Sequence, residues 1–480
     1  MTRPRPRLRA SRSAAGRGAP APEHAALRGR RAGTPATERP APGGPARGPG
    51  AALRRAALAG ALLTSLPPAA AAQELSSGDT AWVLTCTALV LLMTAPGLAL
   101  FYGGLVRRKN VLGTLMQSFV TLALVSVQWT LIGYTLAFAP GGPFVGSLEW
   151  IGLAGVGAAP NADYAPTIPH QAFASFQAMF AVITPALIAG AFAERMRFPA
   201  FLAFVLLWST LVYDPLAHMV WGLGGFLRER GALDFAGGTV VHVSSGVAAL
   251  AAALVIGRRH GYGHEPMQPH SLPLTVLGAG LLWFGWFGFN AGSALGAGGV
   301  AANALLTTNT AAAAAALAWM IAEWIGRGRP TLLGAASGAV AGLVAITPAC
   351  GYVGVSAALA IGAVAGLLCA WAVSAKTRLG YDDALDAFGI HGVGGTWGAL
   401  ATGIFASTAV NPAGADGLLR GGAGLLRAQL EAVAFTWIFA FLLTFAILKV
   451  LDRVLGLRVP PEHEQEGLDV TQHSESAYAP

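Results

Sequence analysis

GGTVVHVSSGVAAL (residues 237–250) and FGIHGVGGTWGAL (residues 388–400) each set one histidine, His242 and His391, in an apolar, glycine-rich stretch. Each stretch lies in a segment long enough to cross a bilayer, for which about 20 residues suffice. An ionisable side chain at membrane depth costs several kcal/mol, so it marks a functional position before anything else is known. The fold question is therefore how many such segments exist and whether these two histidines face one pathway.

The composition is that of a membrane protein. Of 480 residues, 54% are hydrophobic and 11% charged, with a mean hydropathy of +0.56. The formal net charge of +8 belongs to the beginning of the chain: residues 1–55 hold 13 arginines and two acids, and the remainder carries a net −3. The basic balance therefore gives no reason to expect a nucleic-acid partner. The three cysteines, Cys86, Cys350 and Cys369, are scattered, with no CxxC, and read as small apolar filler. No metal, cofactor or enzymatic chemistry is expected.

Residues 1–50 are rich in Arg, Pro, Ala and Gly and read as disordered. LRRAALAGALLTSLPPAAAAQ (53–73) has a charged start, a short apolar core and a small-residue cleavage site, the pattern of a secretory signal peptide. Its charged region is long enough to suggest a true start downstream of Met1. Residues 1–72 are thus expected to be a leader, 73–452 a membrane domain and 453–480 a cytoplasmic tail.

Eleven apolar stretches follow the leader, near 80–102, 112–138, 172–193, 198–220, 238–257, 272–292, 299–325, 331–348, 353–375, 388–408 and 428–450. Of the 18 basic residues beyond the leader, 14 follow odd-numbered spans: Arg107 and its neighbours after the first, Arg195, Arg258, Arg327 and Lys376 with their neighbours after the next four, and Lys449, Arg453 and Arg458 at the last. The positive-inside rule puts those ends in the cytoplasm. The prediction is an all-α membrane protein of eleven spans, N-terminus outside and C-terminus inside.

His242 falls on span five and His391 on span ten, which run in opposite directions. Two five-span halves in inverted topology, with the eleventh span left over, give that arrangement, and transporters use it to place a site near the midplane. Asp234 lies eight residues before His242, about 12 Å along a helix and so near the centre of a core about 30 Å thick. Glycines beside each histidine allow close backbone approach. The alternatives are a packing role for both rings or bis-histidine haem ligation. The remaining histidines, mostly at loops and span ends, argue against haem.

Span six reads LLWFGWFGFNAGSALG (281–296) and puts Trp286, Phe289 and Ser293 on one helical stripe. Span three pairs Phe176 with Phe180, with Gln177 between them, and span four ends in LAHMVWG (216–222), placing Trp221 at the outer face. Aromatic faces and a hydroxyl at an outer mouth suit a small cation, since cation–π attraction contributes about 0.5–2 kcal/mol. For Trp221 alone, an interfacial aromatic belt is the competing reading.

TALVLLMTAPGLALFYGGLVRRKNVL (87–112), GALDFAGGTVVH (231–242), WFGFNAGSA (286–294), GLVAITPACGYVG (342–354), DDALDAFGIHGVGGTWG (382–398) and the tail GLRVPPEHEQEGLDVTQHSESAY (456–478) together resemble the ammonium transporter family (Amt/Mep/Rh), in its bacterial Amt branch. The likeness runs from about Asp79 to the end. It implies a homotrimer in the inner cell membrane with one narrow hydrophobic pore per subunit, carrying ammonium or ammonia. Residue by residue, it makes Trp221, Phe180 and Ser293 the outer recruitment site, Phe180 and Phe289 a stacked gate, and His242 and His391 a twin-histidine pair. Asp234 matches the acid at the start of span five, and Leu187 and Leu282 fall where the pore is lined by apolar groups. For Asp234 the residues favour a structural role, holding backbone N–H groups at a helix start. The tail resembles those that dock PII signalling proteins. The leader and Asp214 before Pro215 depart from the family pattern. Two other functions stay open: a sensor signalling through a PII partner, and a passive ammonia or carbon dioxide channel.

Overall fold

The computed structural model describes residues 74–478; the leader and the signal-peptide reading lie outside the described residues. The helices, in chain order, are α1 (Ser77–Leu105), α2 (Arg108–Phe138), α3 (His170–Phe192), α4 (198–221), α5 (Gly238–Ile256), α6 (Leu272–Gly292), α7 (Gly299–Arg327), α8 (Leu332–Ile346), α9 (Val355–Leu379), α10 (388–405) and α11 (Ala423–Val454). Two short helices, α12 (Pro461–Glu466) and α13 (Leu468–His473), follow. Among the described residues nine helices are long and apolar enough to cross a membrane; α8 and α10, the other two expected spans, are shorter or less apolar. A two-stranded antiparallel hairpin pairs Pro160–Asn161 with Ala165–Pro169 ahead of α3.

Local chemistry sets the ends. Ser76, Ser271 and Thr331 cap α1, α6 and α8, each hydroxyl accepting a backbone N–H three residues on. Gly328 and Gly380 end α7 and α9 in the left-handed conformation that glycine tolerates. Lipid tails are as apolar as leucine, so packing between spans relies on close approach of small side chains. The α7–α8–α9 cluster shows this: a Cβ at Gly362 would fall on the carbonyl of Ala311.

Five helices contain a π-turn that the apolar periodicity did not reveal: Met93–Leu98, Trp129–Gly133, Ser209–Tyr213, Gly238–Val243 and Phe388–Gly392. The first surrounds Pro96, which has no N–H to offer the ladder. The last two contain His242 and His391. Inserted turns of this kind re-aim side chains and concentrate at functional positions.

The segments that follow α1, α3, α5 and α9 meet the tail at one end of the bundle. Glu194 accepts from Arg107 N (2.6 Å), Arg107 Nε (2.9 Å) and Arg259 Nη1 (3.1 Å). Arg259 also makes a two-armed contact with Asp382 at 2.9 and 2.8 Å, and Arg195 Nη2 donates to the Asp382 carbonyl at 2.6 Å. The tail docks on the same surface. Glu464 accepts from His260 N (2.6 Å) and Arg458 Nη2 (2.7 Å), Asp469 accepts from Gly113 N (2.8 Å), and Leu468 N donates to Asn110 Oδ1 (2.8 Å). The opposite end joins Ser76 N to the Thr167 carbonyl and Asp79 to Ala297 N.

Burial by itself would raise the carboxyls of Glu194 and Asp382, but for Glu194 the charges of Arg259 and Arg107, and for Asp382 hydrogen bonds from Arg259 and the charge of Arg195, hold each below its usual range. A lowered folded-state value makes the stabilisation complete above the unfolded value, about 4, and removes it as pH falls through the folded one. Acid titration of purified protein is therefore expected to lower its unfolding temperature below about pH 4, with a weaker acid response in Arg259→Gln. An identical response in the two proteins would count against the cluster.

Candidate functional site

A continuous line of rings runs from the end of α4 into the bundle. Trp221 meets Phe180 edge-on at 6.0 Å between centroids. Phe180 stacks on Phe289 at 4.2 Å and 28°. Phe289 lies 6.1 Å from the His242 ring, and His242 lies 5.3 Å from His391. Phe176 packs against Phe180 at 5.0 Å, and Trp286 stacks near His242 at 5.4 Å. The spacing of Phe176 and Phe180 on α3 and of Trp286 and Phe289 on α6 puts both pairs on facing helix stripes, which is why the rings converge.

Both histidines are buried, and the Nδ1 atoms face each other at 3.3 Å. Only one proton fits between them, so one ring donates and the other accepts; the accepting ring then carries its N–H on Nε2. His242 Nε2 is buried without a hydrogen-bond partner. Rings in direct contact leave no space for a porphyrin between them, so the haem alternative does not fit this pair. The backbones approach as closely as the glycines suggested: a Cβ at Gly246 would fall on Gly392 N, and one at Gly395 would lie 2.9 Å from His242 Cβ.

Asp234 organises the start of α5. Its Oδ1 accepts from Gly237 N (2.7 Å) and Gly238 N (2.6 Å), and its Oδ2 from Thr239 N (2.7 Å), Thr239 Oγ1 (2.5 Å) and Val240 N (3.2 Å). Gly237, at φ 109°, supplies the left-handed residue that lets the chain turn under the carboxylate. The Asp234 carbonyl also accepts from Trp221 Nε1 at 2.8 Å, tying the indole to this cap.

Asp383, which the sequence reading did not single out, does the same for α10. Its carboxylate accepts from Ala387 N (3.1 Å) and Phe388 N (2.7 Å). It precedes His391 by eight residues, the interval between Asp234 and His242. That shared offset, visible in the sequence, was the available signal.

Ser293 closes α6 one turn beyond Phe289, and its Oγ donates to the Phe289 carbonyl at 2.8 Å, leaving its lone pairs to accept. Trp286 Nε1 donates to Thr347 Oγ1 at 2.9 Å. Leu187 and Leu282 are buried, the Leu187 carbonyl accepting from Tyr102 OH at 3.0 Å. Gln177 faces away from full burial, with its Oε1 buried and unpaired.

The helices and this line define a multi-pass membrane protein of the transporter class. The Ammonium Transporter Family matches residues 81–478, and the chain belongs to that family. It is 58% identical over 402 residues to the ammonium transporter of Bacillus subtilis, covering 84% of this chain and 98% of that one. The crystal structure of Candida albicans Mep2 superposes with a TM-score of 0.77 at 38% identity, over 81% of this chain and 88% of that one. A sensor Amt protein superposes with a TM-score of 0.75 at 30% identity, over 82% and 98%.

Proposed function

We propose that the protein takes up ammonium across the inner cell membrane, recruiting it at an outer site of Trp221, Phe180 and Ser293 and passing ammonia along the histidine line. The observation that carries this is the unbroken run of rings from Trp221 to the Nδ1-to-Nδ1 pair. Aromatic faces and a hydroxyl oxygen attract a partly hydrated cation. Beyond the stacked Phe180 and Phe289, a bare cation would lose its hydration, whereas neutral ammonia loses little. Deprotonation falls at the gate, ammonia continues past Leu187 and Leu282, and the proton travels separately along the histidines, which can exchange tautomers.

The same proposal includes eleven spans in two inverted five-helix repeats plus α11, with the N-terminus outside. The meeting of the segments after α1, α3, α5 and α9 with the tail at one end supports it, as does the matched eight-residue interval from carboxylate to histidine. It also includes the homotrimer and a PII-type partner at the docked tail.

Separate movement of the proton makes uptake electrogenic. Proteoliposomes given an ammonium pulse are expected to show an inward current that saturates with ammonium. Uptake without current points to the passive gas-channel reading and removes the proton step. The similarity to a sensor Amt protein makes tail-deleted protein the informative comparison: binding retained without flux in the intact chain would favour a sensor.

A further inference from the structure

The ring line leaves unused a set of buried polar side chains between α2 and α4. Gln128 Nε2 donates to Asp214 Oδ2 at 2.6 Å and to Thr210 Oγ1 at 3.1 Å. One turn further along α4, the wholly buried His218 sets Nδ1 3.1 Å from the Ala137 carbonyl and Nε2 2.8 Å from the Gly142 carbonyl. The helical segment Asp214–Trp221 is regular, so Asp214, His218 and Trp221, at i, i+4 and i+7, lie on one stripe. The stripe therefore grips α2 at two heights, and its outermost member is the indole of the recruitment site.

Alternative settings of the two helices are costly. Sliding α4 by one residue moves Trp221 by about 1.5 Å and turns it by about 100°, while cation–π attraction needs the cation within about 6 Å of the ring. In apolar surroundings each polar contact left unmade costs free energy, so only the setting that makes all of them is favoured. The seam is incomplete: Asp214 Oδ1 and Gln128 Oε1 are both acceptors, both buried, and both without a partner, and a neutral His218 donates to only one of its two carbonyls.

We propose that Gln128, Asp214 and His218 are positioning residues for ammonium recruitment, a polar seam that fixes the height and rotation of the outer turn of α4 and so the place of Trp221. This rests on the reading of Trp221 as part of the ammonium site. Asp214 acts through its hydrogen bonds and not as a negative charge that draws the cation in.

Four variants test this in proteoliposomes. Asp214→Asn keeps an acceptor for Gln128 Nε2 and adds a donor for Gln128 Oε1, and its ammonium KM is expected within about twofold of wild type. Gln128→Met leaves Asp214 Oδ2 without a donor and Asp214→Leu leaves Gln128 Nε2 only Thr210 Oγ1, and each is expected to raise KM about fivefold with a smaller change in the maximal rate. The double variant, apolar on both sides, should recover part of that loss. Should Asp214→Leu not fold, the contrast between Gln128→Met and Asp214→Asn decides.

Hydrogen exchange over residues 214–232 is the readout independent of transport. It should quicken in Gln128→Met and stay slow in Asp214→Asn, and this holds even if the wild type carries no ammonium, which would reject the proposed function alone. A KM raised as much by Asp214→Asn as by Asp214→Leu overturns the seam in favour of a charge effect. Unchanged KM and exchange in Gln128→Met overturn it altogether.

Discussion

Asp234→Ala is expected to abolish ammonium uptake and to be the most damaging single change in the protein. Four backbone N–H groups and one hydroxyl converge on that carboxylate at the start of α5. Alanine leaves all five donors without an acceptor, at a helix start where the first N–H groups have no partner within the helix. Each buried donor left without an acceptor costs about 1–3 kcal/mol. The consequences reach both ends of the site, because the same residue's carbonyl holds the Trp221 indole and the π-turn it caps contains His242. Asp234→Asn keeps one acceptor oxygen and turns an NH2 toward the donors, so an intermediate loss is expected. Thermal unfolding in detergent, read beside uptake in proteoliposomes, checks this. A wild-type unfolding temperature in Asp234→Ala with uptake gone would mean that the carboxylate acts on the substrate instead. Asp383→Ala should follow the same direction more weakly, since that carboxylate accepts two backbone bonds.

The membrane spans and the two histidines were legible because apolar length and a misplaced ionisable residue are local signals. Facing pairs such as Phe176–Phe180 and Trp286–Phe289 were legible as helix stripes for the same reason. The π-turns were not, since one extra residue per turn leaves composition untouched. It was these turns that aimed His242 and His391 at each other. Asp214 stood out in the sequence, but its partner Gln128 is 86 residues away on another span, beyond any local pattern. Asp383 was legible and overlooked, because DDALD offers three carboxylates and only the interval to His391 distinguishes one. Tail docking through Glu464 and Asp469 depends on long-range pairs that no spacing announces.

His242→Ala and His391→Ala are each expected to let potassium compete with ammonium, lowering discrimination by on the order of tenfold. The intact pair fills the line between Phe289 and the far side with two nearly parallel rings, 19° apart, whose facing nitrogens satisfy each other. A potassium ion entering there sheds water among aromatic and imidazole rings, which cannot replace its hydration shell, and it cannot give up a proton and continue as a neutral molecule. Ammonium can. Truncating either ring opens room for water beside the other, and recovering only about 1.4 kcal/mol of hydration raises potassium occupancy about tenfold. Removing His242 should have the larger effect, because its ring also packs on Trp286 and Phe289, so its loss loosens the packing of both. Aspartate at either position should go further than alanine, adding a negative charge that holds a cation in the line. The measurement is current under ammonium and under potassium on the same supported membrane. Discrimination unchanged in both alanine variants would mean that the histidines pack the bundle and that selection is finished before them, at Phe180 and Phe289.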